Sequence, residues 1–240
     1  MTDILFEYDH LLMRSEYRTP DPHSHLAVHL IAAVNGNLHC QIAGETLHTD
    51  AVFIASDICH TAFVHTGELL VFLFDTSSRY AKEINNTYLK DKSYCCLSKN
   101  ETENIRHIWK QSNGDLLTAD SAILDVLHLK SAAEISEDKR IAEILAFLKS
   151  LDEIPENIIP LLCAQVSLSK SRLSHLFSEK VGISLHRYLA MDKLRKGYIH
   201  YQKYGNITEA ALRAGFNSPS HFASTCKRMF GISFSEFIKS

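Results

Sequence analysis

The sequence predicts an α+β protein: a β-barrel with following helices at the amino-terminal end, and an all-α region at the carboxy-terminal end. Three observations carry this. Short apolar runs separated by turn residues fill positions 28–75. From about residue 100 the apolar spacing lengthens to three and four, the helical period. Beyond residue 139 one helical unit occurs twice. The 240 residues suit two ordinary domains. The polar connector "EISEDK" sets the boundary near Ser136, giving domains of 1–136 and 137–240.

In the first domain "VHLIAAV" predicts a strand, "NGN" a hairpin turn, "LHCQI" a strand and "AGE" a second turn. "AVFIA" and "LLVFLFD" predict further strands. Short strands at this spacing favour a small barrel or sandwich. "TENIRHIWKQ" and "ADSAILDVLHLKSA" are amphipathic helices. They either pack back on the barrel or pair with a second copy, so residues 101–130 are the candidate dimer contact.

The repeat aligns "SLSKSRLSHLFSEKVGISLHRYL", from Ser167, with "FNSPSHFASTCKRMFGISFSEFI", from Phe216. In the second copy Asn206 caps a helix and Glu209 completes a capping-box pattern. Gly215 makes the turn, Ser218 caps the next helix, and Pro219 sits where a missing N–H costs nothing. Helix, glycine turn and helix make a helix-turn-helix. Phe222, Cys226, Met229 and Phe230 form its apolar side; Ser220, His221, Ser224, Lys227 and Arg228 form the other. In the first copy Ser169 caps, Leu173, Leu176 and Phe177 turn inward, and Lys170, Ser171, Ser174 and His175 face out beside Arg172. Small hydroxylated residues let a helix approach base edges, while Lys and Arg reach phosphates. A long helix, "SLHRYLAMDKLRKGYIHYQK", joins the copies and ends at Gly205.

Residues from roughly 139 to 240 resemble the DNA-binding domain of the AraC/XylS family of transcriptional regulators. The resemblance rests on "LSKSRLSHLFSEKVGISLHRYL" and "ITEAALRAGFNSPSHFASTCKRMFGISFSEF". It implies sequence-specific binding of double-stranded DNA by two helix-turn-helix units. The family's recognition positions fall on Ser171, Ser174 and His175, and on Ser220, His221 and Ser224. Lys193 and Gly197 stand where the family usually has arginine and alanine, and Cys163 and Cys226 where it has alanine and phenylalanine. Gly197 should cost its helix up to ~1 kcal/mol relative to alanine.

Many members of that family carry a cupin-like barrel in front, and "HSHLAVHLIAAVNGNLHCQIAGE" with "DAVFIASDICH" resembles one. The resemblance implies a small-molecule effector in the barrel, with His23, His25, His29 and His60 as effector-binding residues. His23 and His25 match the His-x-His of cupin enzymes and His60 matches their later histidine. The glutamate of that ligand set is missing, and His29 stands near its place. Three or four imidazoles would suit Zn, Ni, Co or Fe. No cofactor is required by this reading and no metal is assigned. His10, His39, His48 and His65 belong to no motif and are expected to be surface or strand residues.

Charge is divided unevenly. Residues 155–240 carry 12 Lys+Arg against 5 Asp+Glu, and residues 1–154 carry 13 against 23. A basic end suits a polyanion. No apolar run approaches the ~20 residues of a membrane span, and the first residues lack a secretory signal. The six cysteines, at 40, 59, 95, 96, 163 and 226, form no Cys-x-x-Cys pair. They are expected to be free thiols in a reducing compartment, packed as small apolar residues. Together these observations predict a cytoplasmic, effector-responsive DNA-binding regulator, not an enzyme, acting as a homodimer without membrane contact and in reach of RNA polymerase. A metal-responsive regulator and a metal-dependent cupin enzyme with a helical appendage are the alternatives.

Overall fold

The computed structural model describes residues 3–15, 22–130, 138–230 and 234. The expected boundary near Ser136 lies outside the described residues. By its internal contacts the chain divides into two units, 1–130 together with 226–240, and 131–225.

Among its described residues the first unit holds nine strands in two antiparallel sheets. They are β1 Asp3–Phe6, β2 His10–Ser15, β3 Val28–Ala33, β4 Leu38–Ile42, β5 Glu45–His48, β6 Ala51–Ile54, β7 His60–Val64, β8 Leu69–Phe74 and β9 Tyr94–Cys96. The larger sheet runs β1-β2-β8-β3-β6-β9 and the smaller β5-β4-β7, the double-sheet architecture of a β-barrel. The β4–β5 hairpin turns on Ala43 and Gly44, both at positive φ, with Ile42 opposite Glu45. "AGE" is therefore the turn it was expected to be, and it closes a hairpin. "NGN" does not. Strand β3 pairs with β6 and β8, and β4 with β5 and β7. The turn at Gly36 carries the chain from one sheet to the other. A Cβ there would lie 2.1 Å from the Thr66 carbonyl oxygen, so glycine is required.

All six residues of β3 and of β8 are buried, because the larger sheet is covered on both faces. One row across it, Leu5–Leu12–Phe72–Leu30–Phe53–Cys95, packs under helices. Those are α1 Arg79–Ile84, continued by a π-turn Asn85–Leu89, α2 Lys99–Gln111 and α3 Leu116–Val126. Tyr80, Ile84, Ile105, Trp109, Ala119 and Ile123 are their core contributions. The apolar faces of α2 and α3 are thus spent on the barrel, the first of the two alternatives their sequence left open. The neighbouring row, Leu11–Leu73–His29–Ile54, faces the barrel interior. A β3 residue's position in the strand decides which face it serves.

The remaining helices are α4 Lys139–Ser150, α5 Ile158–Gln165, α6 Lys170–Val181, α7 Leu185–Tyr204, α8 Ile207–Arg213 and α9 Pro219–Phe230. The repeat is visible in the turns. Leu168 N–H bonds to the Cys163 carbonyl, and Phe216 N–H to the Ala211 carbonyl, both at 3.0 Å. The left-handed residue is Ser167 in the first copy and Gly215 in the second. Gly215 is obligatory, since a Cβ would lie 2.3 Å from the Ile154 carbonyl oxygen.

Candidate functional site

Each helix-turn-helix presents one helix by its polar face. Ser169 caps α6 by accepting the Arg172 N–H, and Ser218 caps α9 by accepting the His221 N–H at 3.1 Å. Leu173 and Phe177 are buried beneath α6, with Leu176 half-buried. Lys170, Ser171, Arg172, Ser174 and His175 are exposed. On α9 Phe222 and Cys226 are buried and Met229 is half-buried. Ser220, His221, Ser224, Lys227 and Arg228 are exposed, and Ser218 is half-exposed in its capping role. The expected faces are therefore both present, apart from Phe230, whose side chain lies outside the described set. Between them α7 runs 20 residues, about 30 Å, from the Ser184 cap to left-handed Gly205. One turn of B-DNA is ~34 Å, comparable to the length of this connecting helix.

The capping box expected at Asn206 is half made. Its side chain accepts the Glu209 N–H at 3.0 Å, but the Glu209 carboxylate accepts from Arg213 Nε at 2.9 Å. A full turn of helix separates Glu209 from Arg213, and the charged partner wins the carboxylate.

The second constellation lies in the barrel. His23 pairs with His60 as an isolated antiparallel bridge, their backbones exchanging bonds of 2.9 and 3.0 Å. His25 follows two residues on, and His29 enters from the interior row of β3. Ring centroids are 4.7 Å apart for His23–His60, 4.2 Å for His25–His29 and 4.6 Å for His29–His60. The Nε2 atoms of His25 and His29 lie 2.7 Å apart, a hydrogen bond between two imidazoles. His60 donates Nδ1–H to the Ile58 carbonyl at 2.8 Å, which leaves its Nε2 with a lone pair. The Nδ1 atoms of His25 and His29 are buried and without a partner among the described residues. One nitrogen each from His23, His25 and His60 fits within 4.8 Å of the others, close enough to surround one metal ion.

Burial, then the charges of His60 and His23, push His25 down to about 3. Burial also holds His29 well below the ordinary histidine value, with His25 the next cause. His60 falls to about 4, chiefly through burial, although its bond to Ile58 works the other way. At neutral pH these three rings are uncharged, the state in which imidazole offers a lone pair. The four histidines expected in the barrel are brought together. A separate cavity of about 560 Å³ opens on the smaller sheet, lined among others by His39, Gln41, His48, Thr61 and Phe63.

The helix-turn-helix domain family matches residues 162–240. The HTH-type transcriptional regulator MtrA of Neisseria gonorrhoeae is 29% identical over 104 residues, 43% of this chain and 34% of that protein. The aligned segment spans about a third of that relative's length. An apo ToxT variant from Vibrio cholerae has the same fold, at 13% identity and TM-score 0.51, covering 96% of this chain and 97% of that one. A further ToxT structure matches at 11% identity and TM-score 0.50, covering 99% and 97%. Residues 162–240 of the chain carry a helix-turn-helix domain.

Its departures from the AraC pattern have local reasons. A Cβ on Gly197 would lie 2.7 Å from Cε2 of Phe222, so glycine lets the buried anchor of α9 rest against α7. Lys193 donates to the Gly215 carbonyl at 2.7 Å and stacks over Phe216, closing the turn between α8 and α9. Lys196 reaches Asp192 at 3.2 Å and the Leu148 carbonyl at 3.2 Å, a buried polar tie between α7 and α4.

One expectation needs correcting. Cys40 and Cys226 are buried, but Cys59 and Cys96 are exposed, so not every cysteine is a core residue. Strand β9 is an edge, which exposes Cys96, and Cys59 lies in the turn before β7. His10, expected as a surface or strand residue, opens strand β2. It is buried on the helix-facing side of β2, donating from Nδ1 to Asp9 and from Nε2 to Asp120 on α3, both at 2.8 Å. Burial opposes its charge, yet the bonds to Asp120 and Asp9 outweigh that and push it up to about 10. The partner that decides its state lies 110 residues away, beyond any local signal.

Proposed function

We propose that this protein is a transcriptional regulator that reads promoter DNA with α6 and α9 and responds to an effector in its barrel. The carrying observation is the pair of exposed polar and basic faces, one per helix-turn-helix, on α6 and α9. Ser171, Ser174, His175, Ser220, His221 and Ser224 are the base-reading side chains. Lys170, Arg172, Lys227 and Arg228 reach phosphates, and Ser218 fixes the start of α9. Binding as a homodimer, contact with RNA polymerase and work in the cytoplasm belong to the same reading, as does the absence of a catalytic role. Support comes from a relative named as a transcriptional regulator. No helix among the described residues is long and apolar enough to cross a membrane.

Selecting bound duplexes from random DNA, with the full chain, tests this. One enriched motif with two parts about one helical turn apart is the expected result. His175→Ala and His221→Ala should relax discrimination within the motif. Lys227→Ala should weaken binding to all sequences and reduce the salt slope by about 1. Equal loss of specific and non-specific affinity in both histidine variants would show that these faces do not read bases.

A further inference from the structure

The barrel histidines form a site for one kind of ligand. We propose that His23, His25 and His60 bind a late first-row divalent ion, of the Co–Ni–Zn group, and that this ion is the effector. The inference rests on the sensing role given to the barrel above.

The donor set argues for the class of ion. All three ligands are imidazoles, and among the described residues no acid or thiolate joins the cluster. Carboxylate-rich cages suit Mg and Ca, and thiolates favour softer ions; imidazole alone suits Zn, Ni and Co. Three histidines leave a further coordination position for water or a small ligand.

The surroundings argue for a built site. Metal-binding histidines usually donate their second ring N–H to a fixed acceptor, which aims the lone pair. His60 does this with the Ile58 carbonyl. His25 has a corresponding contact in His29, at 2.7 Å, so His29 acts as a positioning residue. Such a cluster is otherwise costly. Two ring nitrogens, Nδ1 of His25 and of His29, are buried without partners, where four apolar residues would have completed the core.

The spacing requires only modest adjustment. Nitrogens at 2.0–2.1 Å from a tetrahedral ion are about 3.3 Å apart. The present separations, up to 4.8 Å, close by rotation about the histidine χ2, which has a broad range.

The test uses the full chain, stripped with a chelator and titrated separately with Zn²⁺, Ni²⁺ and Co²⁺. One ion per chain is expected, and Co²⁺ should give a visible spectrum reporting the number of ligands. His23→Ala, at the half-exposed position, should fold normally and lower affinity by at least about tenfold, the least that loss of even a supporting partner costs. His60→Gln should do the same. His29→Gln, which can still accept from His25, should keep the spectrum at a lower affinity. His39→Ala and His65→Ala should change nothing. Affinity unmoved by the His23 and His60 changes, or dependent on His39 and His65, overturns the site.

Operator affinity with and without ion is measured on the same samples. A change of about fivefold or more is expected of an effector. Equal operator affinity in both states overturns the ion as signal, even if it binds. Specific DNA binding lost in every state, with the ion still bound one per chain, overturns the regulator reading and leaves the metal site standing.

Discussion

The larger sheet carries a buried histidine on each face, and the two are held in opposite charge states. His10, beneath α3, lies between two carboxylates and stays protonated. His29, inside the barrel, lies among three other imidazoles and stays neutral. Burial is equally deep, at 3% and 2% exposure, so burial alone does not set the state of a histidine. What decides it is whether hydrogen-bonding anions or further histidines share the pocket. The helix-facing side uses its histidine as a tie between strand and helix, and the barrel side keeps lone pairs available.

Breaking the tie should have the largest effect. His10→Leu leaves Asp9 and Asp120 buried without their cation, which typically costs 3–5 kcal/mol. Denaturant unfolding of the full chain measures it. Asp120→Asn should be milder, because Asp9 still pairs with the ring. A His10→Leu variant as stable as the parent would show that the three groups do not interact as an ion triad.

The pH dependence sharpens the contrast, because the signs differ. His10 is raised in the folded state, so its contribution is complete below pH 6.5 and is lost as pH rises through about 10. His25 and His60 are lowered to about 3 and about 4. Below pH 6.5 the unfolded chain takes up protons that these rings refuse. Stability then falls as pH drops toward 4, by up to about 1.4 kcal/mol per pH unit for each ring. Comparing parent with His60→Gln between pH 7 and 5 isolates this part, and the variant should show the shallower loss. An unchanged slope would mean that His60 is protonated in the folded barrel.

These two environments were unequally legible in the sequence. The helical units were readable because their signals are local. Ser169, Ser218 and Gly205 mark helix ends through bonds to residues three or four positions away. The barrel's outline was readable from apolar runs, but not its pairing. Whether "NGN" joins neighbours in one sheet depends on β8 and β6, which take both edges of β3. Strands β1 and β2 were missed because Glu7 and Asp9 in the turn between them, and His10 at the start of β2, interrupt the apolar run. His10 is tolerable in its buried position because α3 brings Asp120 to it. The histidine site was half legible. His-x-His marks one face of a strand, while the entry of His29 and His60 depends on how β3 and β7 are placed.

The smallest effect should come from removing the barrel-side bond as a unit. His29→Leu alone leaves the Nε2 of His25 unpaired in a buried site, a loss of about 1–3 kcal/mol. Replacing both partners, His25→Leu with His29→Leu, removes that orphan together with two unpartnered Nδ1 atoms and fills the interior row beside Leu11, Leu73 and Ile54. The double variant should therefore lie within about 1 kcal/mol of the parent, on the stabilised side, and be more stable than the single one. Unfolding in the presence of a chelator gives the three values. A double variant that loses the sum of two single losses would make the cluster a structural network like that of His10. One that gains stability while losing its ligand would identify four histidines kept for what they bind, at a cost to the barrel that holds them.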